Sequence, residues 1–100
     1  MKLIELFIPL YDNEGEKFSD EHFENLKSEL TDAFGGVTIY KKTSGYWKEP
    51  ERPVKKDEIL IYEIMAEQIK KAYWQALKRR LLILFRQKDL VFRYSDIEML

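Results

Sequence analysis

The feature that most restricts this chain is the order of its elements. Hydrophobic periodicity reads strand, helix, strand, strand, helix, strand, and these segments fill nearly all of its 100 residues. That order admits few layouts and leaves one face of the resulting sheet without a helix to cover it. It specifies an architecture and a surface rather than a reaction.

The first strand lies within residues 3–10, where Ile4, Leu6, Ile8 and Leu10 alternate with Leu3, Glu5 and Phe7. Pro9 has no N–H for a ladder, so regular pairing is expected to end near Ile8. Tyr11-Asp12-Asn13-Glu14-Gly15 follows as a turn-rich loop. Ser19 is a good N-cap for the first helix, and Phe18 and Phe23 stand where a hydrophobic staple places them. Asp20, Glu21 and Glu24 suit the positive end of the helix dipole. The stripe Phe23, Leu26, Leu30, Ala33 and Phe34 is expected to be buried, and Gly35-Gly36 stops the helix.

Residues 37–42 read as the second strand, broken at Thr43-Ser44-Gly45 and briefly resumed at Tyr46-Trp47. Residues 48–56 hold two prolines among many charges and read as an exposed loop. The third strand, residues 58–65, is apolar on both faces: Ile59, Ile61 and Met65 on one, Leu60, Tyr62 and Ile64 on the other. A strand of that kind is central and covered on both sides. The second helix spans about residues 67–87, with Tyr73, Trp74, Leu77, Leu81, Leu84 and Phe85 as its apolar face. Leu82 and Ile83 fall off that face, toward some further contact. Residues 90–94 form the last strand and 95–100 a tail.

Two similar halves joined in this way favour a ferredoxin-like βαββαβ sandwich, an α+β fold in one domain over residues 1–100. Its antiparallel sheet has strand order 4-1-3-2 with both helices on one face. The opposite face is expected to carry Glu5, Phe7, Tyr40 with Thr38, Glu63 and Arg93, bordered by Trp47. A partly apolar face of this size does not stay wet. The expectation, by analogy of fold, is a homodimer that closes the open sheet face, with room for a small-molecule ligand between the sheets.

Composition narrows the function classes. A hydrophobic fraction of 45% and a mean hydropathy of −0.46 describe an ordinary globular protein. The absence of cysteine removes a disulfide framework, a thiolate metal site and a cysteine nucleophile, and it fits a reducing cytoplasm. The formal net charge of −1 gives no field that would draw the chain to nucleic acid. The charge is uneven, with residues 12–32 mainly acidic and 70–88 mainly basic, so the two helices attract each other if they pack together. No apolar run is long enough to span a bilayer, and the short run around Glu5 does not read as a signal peptide.

A resemblance adds to this reading. The pieces are Leu10-Tyr11-Asp12-Asn13 with Gly15, then Glu29-Leu30-Thr31 and Phe34-Gly35-Gly36-Val37-Thr38. Further on come Gly45 with Trp47, Tyr62-Glu63 with Met65, Trp74, Phe85-Arg86-Gln87 and Leu90-Val91. In these the chain resembles an uncharacterised family of short bacterial hypothetical proteins, a domain of unknown function with the same element order. The resemblance implies the fold and a bacterial origin, and no chemistry.

Several residues carry candidate chemistry, each with a plainer alternative. Glu5 and Glu63 on adjacent central strands form a carboxylate pair suited to acid–base work, with Arg93 holding one of them charged. The plainer reading is a salt-bridged patch at a dimer interface. Tyr46 and Trp47, beside Lys48 and Arg52, suit stacking on a flat ligand, or simply close the edge of the core. Asp12 stands where small ferredoxin-like nucleases of the CRISPR-associated type hold a metal, but the basic groove and the rest of that pattern are missing, and the plainer, preferred reading is an Asx-type turn. His22, the single histidine, sits in the first turn of an acidic helix without a second ligand, so no metal site is expected. Lys78, Arg79, Arg80, Arg86 and Lys88 make a basic side on the second helix; phosphate binding is the sharper reading and a structural role, with Gln87 fixing the turn that follows, the preferred one. No phosphate loop, His-Glu-x-x-His, Gly-x-Ser-x-Gly or EF-hand pattern is present, and no cofactor is implied.

Overall fold

The computed structural model describes the backbone of residues 1–47 and 55–100, and the side chains of residues 1–42 and 58–100. Among these the elements are β1 (Lys2–Pro9), α1 (Asp20–Phe34), β2 (Thr38–Trp47), β3 (Lys55–Ala66), α2 (Lys71–Leu84) and β4 (Phe92–Asp96). The strands form one antiparallel sheet of order β2-β3-β1-β4, which is the expected order read from the other edge. This is the ferredoxin-like α+β arrangement.

Register settles what alternation left open. β1 and β3 pair from Lys2↔Ala66 to Pro9↔Ile59, with Leu6 opposite Tyr62. Residues directly opposite one another share a face. Ile4, Leu6 and Ile8 therefore stand with Ile64, Tyr62 and Leu60 on the helix side. Leu3, Glu5, Phe7 and Pro9 point away together with Met65, Glu63, Ile61 and Ile59. The pairing reaches Pro9, one residue beyond expectation, because a ladder of carbonyls tolerates a proline at its end.

Both helices lie on the inner face. Phe23, Leu26 and Leu30 of α1 and Trp74, Leu77 and Leu81 of α2 join the sheet in one buried cluster. Phe85 is fully buried at its centre, edge-on to Phe18 at 5.0 Å and tilted against Phe23 at 5.4 Å. Phe34 bridges the helices, stacked on Trp74 at 5.1 Å and edge-on to Tyr73 at 5.5 Å. Tyr62 Oη donates to the Phe23 carbonyl at 3.1 Å, and burial pushes its phenol far above the ordinary range. The expected attraction between the helices is realised in an ion pair of Arg80 with Glu29 at 2.7 Å.

The element ends follow local chemistry. Ser19 Oγ accepts from the Glu21 N–H at 3.3 Å, and Gly35, at φ 82°, closes α1 with its N–H on the Thr31 carbonyl. Ala33 is exposed rather than buried, since the stripe is narrower than its spacing suggested. β2 is not broken at Gly45. A register shift between Ser44 and Tyr46 absorbs that residue as a bulge, and the strand runs on to Trp47. α2 begins at Lys71, four residues later than expected at residue 67, and β4 begins at Phe92. Arg86 ends α2 in the left-handed conformation, at φ 51°. Its N–H donates to Ile83 O at 3.2 Å and the Gln87 N–H to Leu82 O at 2.9 Å, which is a Schellman closure. Leu84 is consequently exposed, Leu82 packs partly on the core, and Ile83 stands in solvent.

The open sheet face as candidate functional site

The uncovered face gathers its polar residues into one row. Crossing the sheet from β4 to β2, the register sets Arg93, Glu5, Glu63 and Thr38 side by side. In the next row Phe7, Ile61 and Tyr40 are neighbours, and the Phe7 N–H donates to the Val91 carbonyl at 3.0 Å. Arg93 Nε donates to Glu5 Oε1 at 3.1 Å, while its guanidinium lies over the Phe7 ring, 4.6 Å from the centroid. Tyr40 Oη donates to Glu63 Oε2 at 3.3 Å. Burial, followed by the charges of Glu63 and Glu5, holds the Tyr40 phenol above its ordinary value.

Two glutamates facing each other across adjacent strands repel. Here each has one compensating partner, Arg93 for Glu5 and Tyr40 for Glu63. The Glu5 side chain is only 15% exposed, so this row is already half withdrawn from water. Two carboxylates against one guanidinium leave the row net negative, which suits a cationic group. The Glu63–Tyr40 bond also pairs an acceptor with a phenolic donor, the elements of proton transfer. Around the row the surface is apolar, with Ile61 buried and Met65 and Val91 each 51% exposed.

Five of the residues read from the sequence, Glu5, Phe7, Tyr40, Glu63 and Arg93, thus come together on one surface. Tyr46 and Trp47 lie at the far end of β2, their backbones opposite Lys56 and Lys55. Their side chains, with Lys48 and Arg52, lie outside the described residues. Met65 and Val91 also belong to the face, although sequence reasoning does not single them out. Their signal is parity: each lies two residues from an outward-pointing charge, Glu63 or Arg93.

The other candidates are absorbed by structure. Asp12 Oδ1 accepts from the N–H groups of Glu14 at 2.8 Å and Glu16 at 2.9 Å, and Oδ2 accepts from Arg86 at 3.0 Å. This is the Asx-type turn, and it occupies both oxygens. Among the described residues no group of three or more His, Asp or Glu side chains is placed to hold a metal. His22 packs edge-on against Phe85 at 5.8 Å. On the basic side of α2, Lys78 pairs with Asp89 at 2.9 Å, and Gln87 Nε2 donates to the Phe85 carbonyl, as the structural reading expects.

The Asp12 turn makes a measurable claim. The Glu16 N–H first, then the Glu14 N–H and the Arg86 charge, hold the Asp12 carboxyl below its ordinary value of 3.8. Asp89 beside Lys78 and Asp96 beside Lys2 are shifted the same way. A lowered folded value means that these groups contribute stability above the ordinary value and lose it as pH falls through the folded one. Stability is therefore expected to hold at neutral pH and to decline on acidification below 3.8. Carboxyl-detected NMR should show Asp12 titrating below that value, and titration at or above it would remove the turn's hold on the carboxylate.

No protein-family model matches the chain, and no curated protein matches it. Solved structures do match. A phage SAM lyase in complex with S-methyl-5′-thioadenosine is 14% identical with a TM-score of 0.66, over 95% of this chain and 80% of that one. A point variant of CutA1 from Pyrococcus horikoshii is 16% identical with a TM-score of 0.59, over 100% of this chain and 86% of that one. The PII-like protein CutA from Nostoc sp. PCC 7120, in apo form, is 18% identical with a TM-score of 0.57, over 98% of this chain and 82% of that one. At these identities the likeness is one of fold.

Proposed function

We propose that this chain is a homodimeric binding module in which a second copy covers the open sheet face. The row Arg93, Glu5, Glu63 and Tyr40 lines a site for a small cationic ligand at the interface. The observation that carries the reading is a net-negative, partly withdrawn polar row set in an apolar surround on a face with no helix over it. The size of the face is suitable. Three strands of eight or more residues and a fourth of five span about 19 Å across and about 17–27 Å along, roughly 450 Å² in projection and more with side-chain relief, approaching the standard ~800 Å² per partner. A second reading, a small cofactor-free enzyme, draws on the Glu63–Tyr40 bond. That a chain of this fold is known in complex with S-methyl-5′-thioadenosine, a neutral nucleoside, supports a small-molecule site in either reading and is silent on the ligand's charge. The nuclease reading loses its residue, because Asp12 is committed to its turn. A bacterial, cytoplasmic setting accords with the resemblance and with the lack of cysteine. No helix among the described residues is long and apolar enough to cross a membrane.

Sedimentation velocity tests the assembly. The expected result at about 100 μM, well above the Kd of a micromolar dimer, is twice the chain mass. A monomer at that concentration overturns the proposal. Glu5→Gln and Glu63→Gln then divide the readings: loss of ligand binding with an intact dimer marks a pocket, whereas dissociation marks a structural pair.

A further inference from the structure

On the helix side of the sheet, between α2 and β4, lies a cavity of about 260 Å³. Ile4 and Phe92 of the inner sheet face and Trp74 of α2 form apolar walls. The rim on α2 is basic. Lys71, Gln75 and Lys78 follow one another at helical spacing along one line, and among the described residues no Asp or Glu lines the cavity. Lys78 is shared between Asp89 and the Phe92 ring, whereas Lys71 has no carboxylate partner among the described residues.

The start of α2 points the same way. The helix starts at Lys71 with no side-chain cap and no acidic residue in its first turn, so its opening N–H groups favour an anion. Trp74 is 7% exposed and gives its ring to the cavity wall, while its indole N–H is fully buried and does not face the cavity. A cavity of about 150 Å³ is enough to take benzene. The volume here accommodates a ring and one further polar group.

We propose that this cavity binds a small flat carboxylate, its apolar body against Trp74 and Phe92 and its charge at Lys71 and the first turn of α2. The apolar walls disfavour a bare inorganic anion, and the basic rim disfavours a neutral ring. This site lies on the helix side of the sheet, and the one residue it shares with the open-face row is Arg93, whose guanidinium is held on that face by Glu5 and Phe7.

The probe is benzoate, with benzyl alcohol as its neutral counterpart, followed by ¹H–¹⁵N NMR on the full chain. Trp47→Phe identifies the Trp74 indole resonance by elimination. The expected result is a saturable displacement of that resonance by benzoate, with a response to benzyl alcohol about tenfold weaker, as loss of a charge-assisted hydrogen bond predicts. Lys71→Gln, at an exposed position, is expected to weaken benzoate several-fold with the spectrum of the folded chain retained. Resonances of Tyr40 and Glu63 stay in place, which separates this site from the sheet face. A drift that does not saturate, equal binding of the alcohol, or an undiminished response in Lys71→Gln overturns the proposal.

Discussion

Charging the rim of the open sheet, by Met65→Glu together with Val91→Glu, is expected to convert the proposed dimer into a folded monomer. Each of these side chains is about half exposed in the single chain, so neither change empties its core. In a two-fold interface every substitution counts twice, once from each copy. The pair removes four apolar side chains from the contact. It also brings four carboxylates toward a surface that already holds Glu5 and Glu63 from both sides. Even at about 1 kcal/mol per site this weakens association by roughly three powers of ten. Equilibrium sedimentation over a concentration series reads the change, and circular dichroism confirms the fold. A variant that associates as tightly as the native chain would place the interface elsewhere.

Phe85→Ala is expected to destabilise the chain by about 3–5 kcal/mol. Phe85 has no solvent exposure, and its ring is the common neighbour of Phe18, His22 and Phe23. Its backbone N–H also completes α2 by donating to Leu81 O at 2.9 Å, just before the left-handed Arg86. Removing the ring leaves a hole at the junction of α1, α2 and the loop that follows β1, where separate segments cannot collapse together. Against a total of about 5–15 kcal/mol, such a loss consumes much of the margin. Urea unfolding should show a lower midpoint with an unchanged slope. A loss below about 1 kcal/mol would mean that the aromatic cluster is not the keystone described above.

Much of the architecture is legible in the sequence because local and long-range signals agree. Ser19, Gly35 and the Phe23–Leu26–Leu30 stripe each mark α1 independently, and the order of elements selects one sheet topology. The apolar residues of β3 do not reveal its facing, since Ile59, Ile61, Leu60 and Ile64 offer no contrast between its sides, and Glu63 is its one signal in the sequence. Register with β1 supplies it, and register is a property of two strands at once. The start of α2 is placed too early by sequence because Glu67 to Lys70 are ordinary helix formers with no breaker among them. For the site, charge in otherwise apolar strands is the useful signal: Glu5, Glu63 and Arg93 all point outward as charge demands. The two bonds they make, Arg93 to Glu5 and Tyr40 to Glu63, depend on side-chain geometry across two pairs of strands, one of them on a diagonal, which alternation does not encode.

The contact of Asp12 with Arg86 spans 74 positions of sequence. It fastens the exit of the first strand to the end of the last helix, and so couples the two βα halves of the molecule. A loop that frays by itself would cost the chain little. This one is tied to the final turn of α2 through an ion pair whose arginine side chain is 67% exposed, so loosening at either end is felt at the other, though weakly.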